Sequence, residues 1–157
     1  MKFTQSIKLL LIIFIANIFE SFLSPHLIKA FINLPITFLI FSMFLYKSKT
    51  NINPFYIFLI GLFVDIISDA TFGLNSALFC LMAYLINSYS NTFKLFSFFQ
   101  ICLFFSVSSF FYIGITQIFM NLENFSYAVL LISLIFNTVL FITISLLRIN
   151  VMAIFKT

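Results

Sequence analysis

The sequence predicts an all-α integral membrane protein, a bundle of six transmembrane helices with both termini in the cytoplasm. Three observations predict it. The 157-residue chain is 63% hydrophobic and 8% charged, with a mean hydropathy of +1.21. Soluble domains carry about 25% charged residues, so this polar set is too small to cover a water-facing surface. The apolar residues gather into six runs separated by brief polar connectors, which suits a polytopic helical protein. The basic residues then alternate between the connectors. Lys2, Lys8, Lys47, Lys49, Lys94, Arg148 and Lys156 fall on one side, and Lys29 alone falls on the other. By the positive-inside rule that bias places both ends in the cytoplasm.

The whole chain, 1–157, reads as one transmembrane domain with spans at about 7–23, 30–46, 54–70, 74–89, 95–120 and 127–147. The first span carries Asn17 and Glu20 and is expected to end at the turn-prone Ser24-Pro25-His26. Lys2 and Lys8 before it resemble the start of a signal peptide, but no small-residue cleavage site follows, so it reads as a retained span. The second span places Asn33 and Pro35 in its first two turns, where proline is tolerated. A polar connector leads to Pro54, which suits the first turn of the third span. Thr71-Phe72-Gly73 makes a tight exit from it. A polar loop at Ser90–Lys94 separates the fourth and fifth spans, and Asn121–Ser126, with Glu123, precedes the sixth. The connectors leave no room for a soluble domain.

The third span holds the best functional lead. Gly61, Asp65, Asp69 and Gly73 recur every four residues, which in a helix stacks them along one side. Glycines on such a stripe let a neighbouring backbone come close. A carboxylate near mid-membrane costs on the order of 2.5–3.5 kcal/mol on insertion scales and must face protein, water or a partner. Asp65 lies roughly 16 Å along the helix from Pro54, just past the membrane centre, and Asp69 about one turn further out. Asp65 can serve a proton or ion pathway, or a structural interhelical hydrogen bond; Asp69 reads as a solvated helix-end acid. Without a cation beside it, a buried carboxyl can take up a proton or be held by amide and hydroxyl donors. Asn75, Gln117, Ser106, Ser108 and Ser109 are the candidate donors, and Lys29 and His26 are the ionisable groups expected on the outer side.

Other chemistry finds little support. The basic residues are dispersed at segment ends, which argues against nucleic acid. His26 stands alone and reads as a loop residue; Cys80 and Cys102 read as small core residues rather than a disulfide or metal pair. Two carboxylates four apart lack the further ligands of a metal site, and no phosphate loop, nucleophile elbow or zinc motif occurs. No enzymatic activity and no cofactor are expected. Glu20 and Glu123 are expected to be solvated at the outer ends, and the scattered Asn and Gln side chains to be interhelical links worth roughly 0.6–2 kcal/mol each.

The block GLFVDIISDATFGLNS from Gly61, with AYLI at Ala83–Ile86, resembles the rod shape-determining MreD family. Gly61, Asp65, Gly73 and Tyr84 fall on that family's pattern, whereas Asp69 stands where a small residue is commoner. The specific likeness covers about 26 residues; beyond them it is length, hydropathy and basic inner loops. The resemblance implies a multi-pass subunit of the bacterial inner membrane, set in membrane lipid and part of the cell-elongation complex. Its implied partners are an MreC-like protein, actin-like MreB, a RodA-type polymerase and a class B penicillin-binding protein. The implied mechanism is scaffolding of peptidoglycan synthesis, with the third-span stripe, or a cavity it lines, receiving part of a partner. The alternative is the substrate-binding subunit of an energy-coupling-factor vitamin transporter. Short outer loops and the absence of Trp argue against it. A proton-coupled carrier rests on Asp65 alone and lacks the internal repeat many carriers show.

Overall fold

A computed structural model describes residues 3–47, 53–68, 71–120 and 125–146, and these are helical apart from short connectors. Seven helices follow in order: α1 Phe3–Ile28, α2 Ile36–Lys47, α3 Pro54–Ile67, α4 Leu74–Ser88, α5 Ser90–Phe93, α6 Phe98–Met120 and α7 Tyr127–Leu146. Six of them match the six expected segments, and α5 is a single turn inside the expected polar loop. Two stretches, Leu9–Ile28 and Phe99–Met120, are long and apolar enough to cross a membrane. The remaining apolar helices are shorter.

Two boundaries differ from expectation, each for a local reason. α1 runs through Pro25 to Ile28 rather than ending near residue 23. Only one turn follows the proline, so a single missing backbone bond does not stop the helix. The true end is a Schellman closure: Ile32 N–H donates to Leu27 C=O and Phe31 N–H to Ile28 C=O, at 3.0 and 2.9 Å. Phe31 occupies the left-handed position at φ 59°, a place more often filled by glycine. α2 starts at Ile36, so Asn33 and Pro35 precede the helix instead of forming its first turns. A residue before proline is steered away from helical angles, which keeps Leu34 out of the helix.

The α3 boundaries follow the sequence closely. Pro54 opens the helix and the Asn53 side chain accepts from Phe55 N–H at 3.1 Å. The exit is the expected tight turn, closed by Leu74 N–H to Thr71 C=O. Gly73 sits there at φ 92° and ψ −10°, as a type II turn requires at its third residue. Nothing lies within 4 Å of a Cβ built on Gly73, so Gly73→Ala should cost only backbone strain. A loss of about 1–2 kcal/mol is expected, read as a lowered melting temperature of the purified protein.

Antiparallel hairpins assemble the bundle. α3 packs along α4, α6 along α7 and α1 along α2, while α2 also touches α4 and α6. The core is aromatic. Phe41 stacks on Phe79 with ring centres 4.2 Å apart, and Phe38 stacks on Tyr112 at 4.4 Å. Cys102 is buried and Cys80 half-buried, both as free thiols. Polar groups are also drawn inside this core, and many large apolar side chains stand outside it. Asn17, Ser42, Asp65, Asn75, Ser76, Ser109 and Asn137 are buried, while Leu11, Ile15, Phe19, Phe22, Phe55 and Phe111 are exposed. Large contiguous apolar surface of this kind is rare on soluble monomers.

Candidate functional site

Asp65 is 2% exposed and lies two residues before the end of α3, facing the start of α4. Its Oδ2 accepts from Gly73 N–H at 2.9 Å and from the Ser76 hydroxyl at 3.2 Å, and its Oδ1 accepts from Asn75 N–H at 2.9 Å. These donors lie at the N-cap and in the first turn of α4, where backbone N–H groups have no partner within the helix. Asp65 is therefore the N-terminal cap of α4, supplied from the preceding helix. The helix N-terminus carries about half a positive charge, so a carboxylate suits it electrostatically as well.

Gly61 makes that approach possible. A Cβ on Gly61 would stand 2.6 Å from Ser76 N and 3.0 Å from Asn75 C, with the Ser76 Cα closer still. Backbone meets backbone there, one turn of α3 before the cap. Gly61, Asp65 and Gly73 thus act in one α3–α4 clasp.

The expected stripe is corrected in two respects. α3 ends at Ile67, so Gly73 belongs to the turn before α4 and does not share a helix face with Gly61 and Asp65. Both Gly61 and Asp65 are taken up by α4, so neither is left facing outward for a partner. Asp69 lies outside the described residues, as do Glu123, Lys2, Lys49, Arg148 and Lys156. Tyr84 is 70% exposed on α4, away from the clasp.

The expected donors also sort differently. Asn75 does hold Asp65, but through its backbone; its side-chain Oδ1 accepts from Tyr112 O–H at 2.5 Å, tying α4 to α6. Ser106, Ser108 and Ser109 hydroxyls bond carbonyls of their own helix, and Gln117 Oε1 is buried without a partner. Gly73 N–H and the Ser76 hydroxyl were not among the expected donors. The GLNS spelling after a turn was the available signal, since a glycine there marks a helix start. Tyr112→Phe should remove the α4–α6 link at a loss of about 1 kcal/mol, measured by unfolding in detergent.

Glu20 departs furthest from expectation. It is half-buried rather than free in solvent, and its Oε2 accepts from Thr37 N–H at 2.7 Å, in the first turn of α2. An acid about two turns before the end of α1 caps α2, as the acid in the last turn of α3 caps α4. His26, by contrast, is exposed with its ring against Phe22. Between the two caps lies a cavity of about 240 Å³ lined by polar residues that include Asn17, Glu20, Asn33, Asn75, Tyr112 and Thr116. It occupies the end of the bundle where α1, α3 and α6 finish. At the same end, Asn33 N–H donates to Ser133 Oγ of α7 at 2.7 Å.

The arrangement can hold polar groups; it offers no paired nucleophile and base. Among the described residues no group of three His, Cys, Asp or Glu side chains could hold a metal ion. Comparison with protein-family models, with curated proteins and with solved structures finds no match to this chain.

Proposed function

We propose that this chain is a non-catalytic, six-pass subunit of the bacterial inner membrane that scaffolds the cell-elongation complex, with both termini in the cytoplasm. One observation carries the reading. Three of the four residues on which the MreD resemblance rests, Gly61, Asp65 and Gly73, build the α3–α4 clasp; the fourth, Tyr84, stands outside it. The seven-to-one distribution of basic residues and the apolar exterior support the membrane orientation.

The short helices fit the same picture. At about 1.5 Å per residue, helices of 12 to 15 residues such as α2, α3 and α4 rise roughly 18–22 Å, less than the roughly 30 Å of hydrocarbon. The starts of α2 and α4 then lie at membrane depth. Irregular backbone is tolerated there when it is buried in protein or lines a polar cavity. Glu20 and Asp65 supply the missing partners for the α2 and α4 starts. With Gly61 and Asp65 committed to α4, a partner's membrane segment has the opposite side of α3, where Phe55, Phe58, Leu59 and Ile66 are exposed.

Affinity purification in mild detergent tests the proposal. An MreC-like chain should come along with the tagged protein, and Leu59→Lys together with Ile66→Lys should release it while the protein still folds. Absence of any such partner, with normal cell shape on deletion, would overturn it. The polar cavity favours the vitamin-transporter reading instead, which requires tight binding of a vitamin by the purified protein.

A further inference from the structure

We propose that the cavity between the two caps is a blind aqueous vestibule, filled by water from the extracytoplasmic side and closed inside the bundle. It rests on the membrane orientation proposed above, and its test keeps the two apart. Of the ten lining residues only Met120 lacks a polar side chain. Ser68 and Met120, where α3 and α6 finish, are exposed, and so is Ser21 on the α1 wall. That wall reaches inward to Glu20, roughly 12 Å along α1 from its end at Ile28. Polar surface at such depth in a bilayer is tolerated where it is closed by protein or holds water. A cavity of about 240 Å³ is far larger than one water needs. Water also completes the hydrogen bonding of the half-buried Glu20, whose Oε2 accepts from Thr37 N–H. No counter-charge is called for.

The floor makes the vestibule blind. Asn17 and Asn75 are 4% and 3% exposed. Asn75 Oδ1 accepts from Tyr112 O–H, and the Tyr112 ring stacks on Phe38. Beyond them lies the aromatic core: Ile13, one turn before Asn17, is fully buried, and Phe41 stacks on Phe79. Rings packed at the density of a protein interior leave no room for a file of water through the bundle. Solvent therefore reaches the α1 acid from one side. A carrier must open to both sides in turn, whereas this vestibule gives its walls to one compartment only.

Cysteine reactivity tests it on the full chain, in membrane vesicles of both orientations. The background carries Cys80→Ala and Cys102→Ala, and single cysteines are introduced as Ser21→Cys, Ser24→Cys and Thr116→Cys on the walls. These changes are small and should leave the melting temperature where it was. Phe22→Cys and Phe111→Cys are the controls, at similar depth but exposed on the outside of the bundle. Thiosulfonates attack the thiolate, which forms in water and is suppressed in apolar surroundings, so the wall positions should react at least about tenfold faster than the controls. A membrane-impermeant reagent should reach the walls in right-side-out vesicles and not in inverted ones. Lys29→Cys and Lys94→Cys report sidedness independently, the first labelled from outside and the second from the cytoplasm. Reversed labelling of these two overturns the orientation, and outward access with it. With both labelled as expected, walls that react no faster than the controls overturn the vestibule, and walls labelled from both sides overturn the blind floor. Should the doubly substituted background not fold, the two native thiols are kept and the unaltered chain supplies the background rate. Failure of the co-purification would leave each of these results standing.

Discussion

Asp65→Leu should destabilise the protein by roughly 3–5 kcal/mol, the largest loss expected from any single substitution in it. Leucine has about the right size and prefers hydrocarbon, so transfer alone would predict a gain. The clasp reverses the sign. Gly73 N–H, Asn75 N–H and the Ser76 hydroxyl would all lose their acceptor at once, at the dipole-bearing start of α4. Each stranded donor costs about 1–3 kcal/mol when buried. Asp65→Asn keeps one acceptor oxygen and turns a donor toward the N–H groups, so about 1–3 kcal/mol is expected for it. Equilibrium unfolding in one detergent ranks the three proteins. A leucine variant as stable as the parent would mean that Asp65 does not hold α4. Full rod-shape complementation by Asp65→Leu would show that the elongation role does not need the cap.

The helix inventory was legible because it rests on quantities summed over many residues. Hydropathy over twenty positions does not depend on any one contact. Boundaries were legible where one residue fixes the backbone, as Pro54 and Gly73 do. They were not legible at Pro25 and Pro35. The same proline either sits in a last turn or ends a connector, and neighbours decide which. The value of Asp65 was legible through its cost in hydrocarbon; its partner was not. Amide groups leave no trace in the spelling of a side chain, so a search for donors by residue type favoured Ser, Asn and Gln over the backbone of α4. Glu20 was misread for the same reason. Its position near a helix end suggested water, and nothing in the sequence indicated that the start of α2 would come within 2.7 Å.

The two caps share a logic that a count of polar residues misses. In water a helix start can be satisfied by solvent, so a short Ser or Asp cap is a modest refinement. On the membrane-spanning reading proposed above, the starts of α2 and α4 lie where solvent is scarce, and an acid from the previous helix replaces it. The acid then also fixes where the two helices cross. That double duty accounts for a carboxylate buried near the end of α3.

Gly61→Ala should destabilise the protein by about 1–3 kcal/mol, against the ordinary preference of helices for alanine. Alanine gains up to about 1 kcal/mol in helix propensity over glycine. At Gly61 the added methyl meets Ser76 N at 2.6 Å and Asn75 C at 3.0 Å, backbone atoms that cannot swing aside. α4 must move away, and movement lengthens the Asp65 bonds one turn on. Gly114 in α6 provides the control. A Cβ there meets Leu130 Cδ2 at 3.7 Å, ordinary contact with the end of a flexible side chain. Gly114→Ala should be neutral or slightly stabilising in the same assay. Because Gly61 and Asp65 act on one helix crossing, Gly61→Ala combined with Asp65→Asn should cost less than the two losses added together. Strict additivity would mean that the close approach and the cap are independent features, and the clasp would no longer be one structural unit.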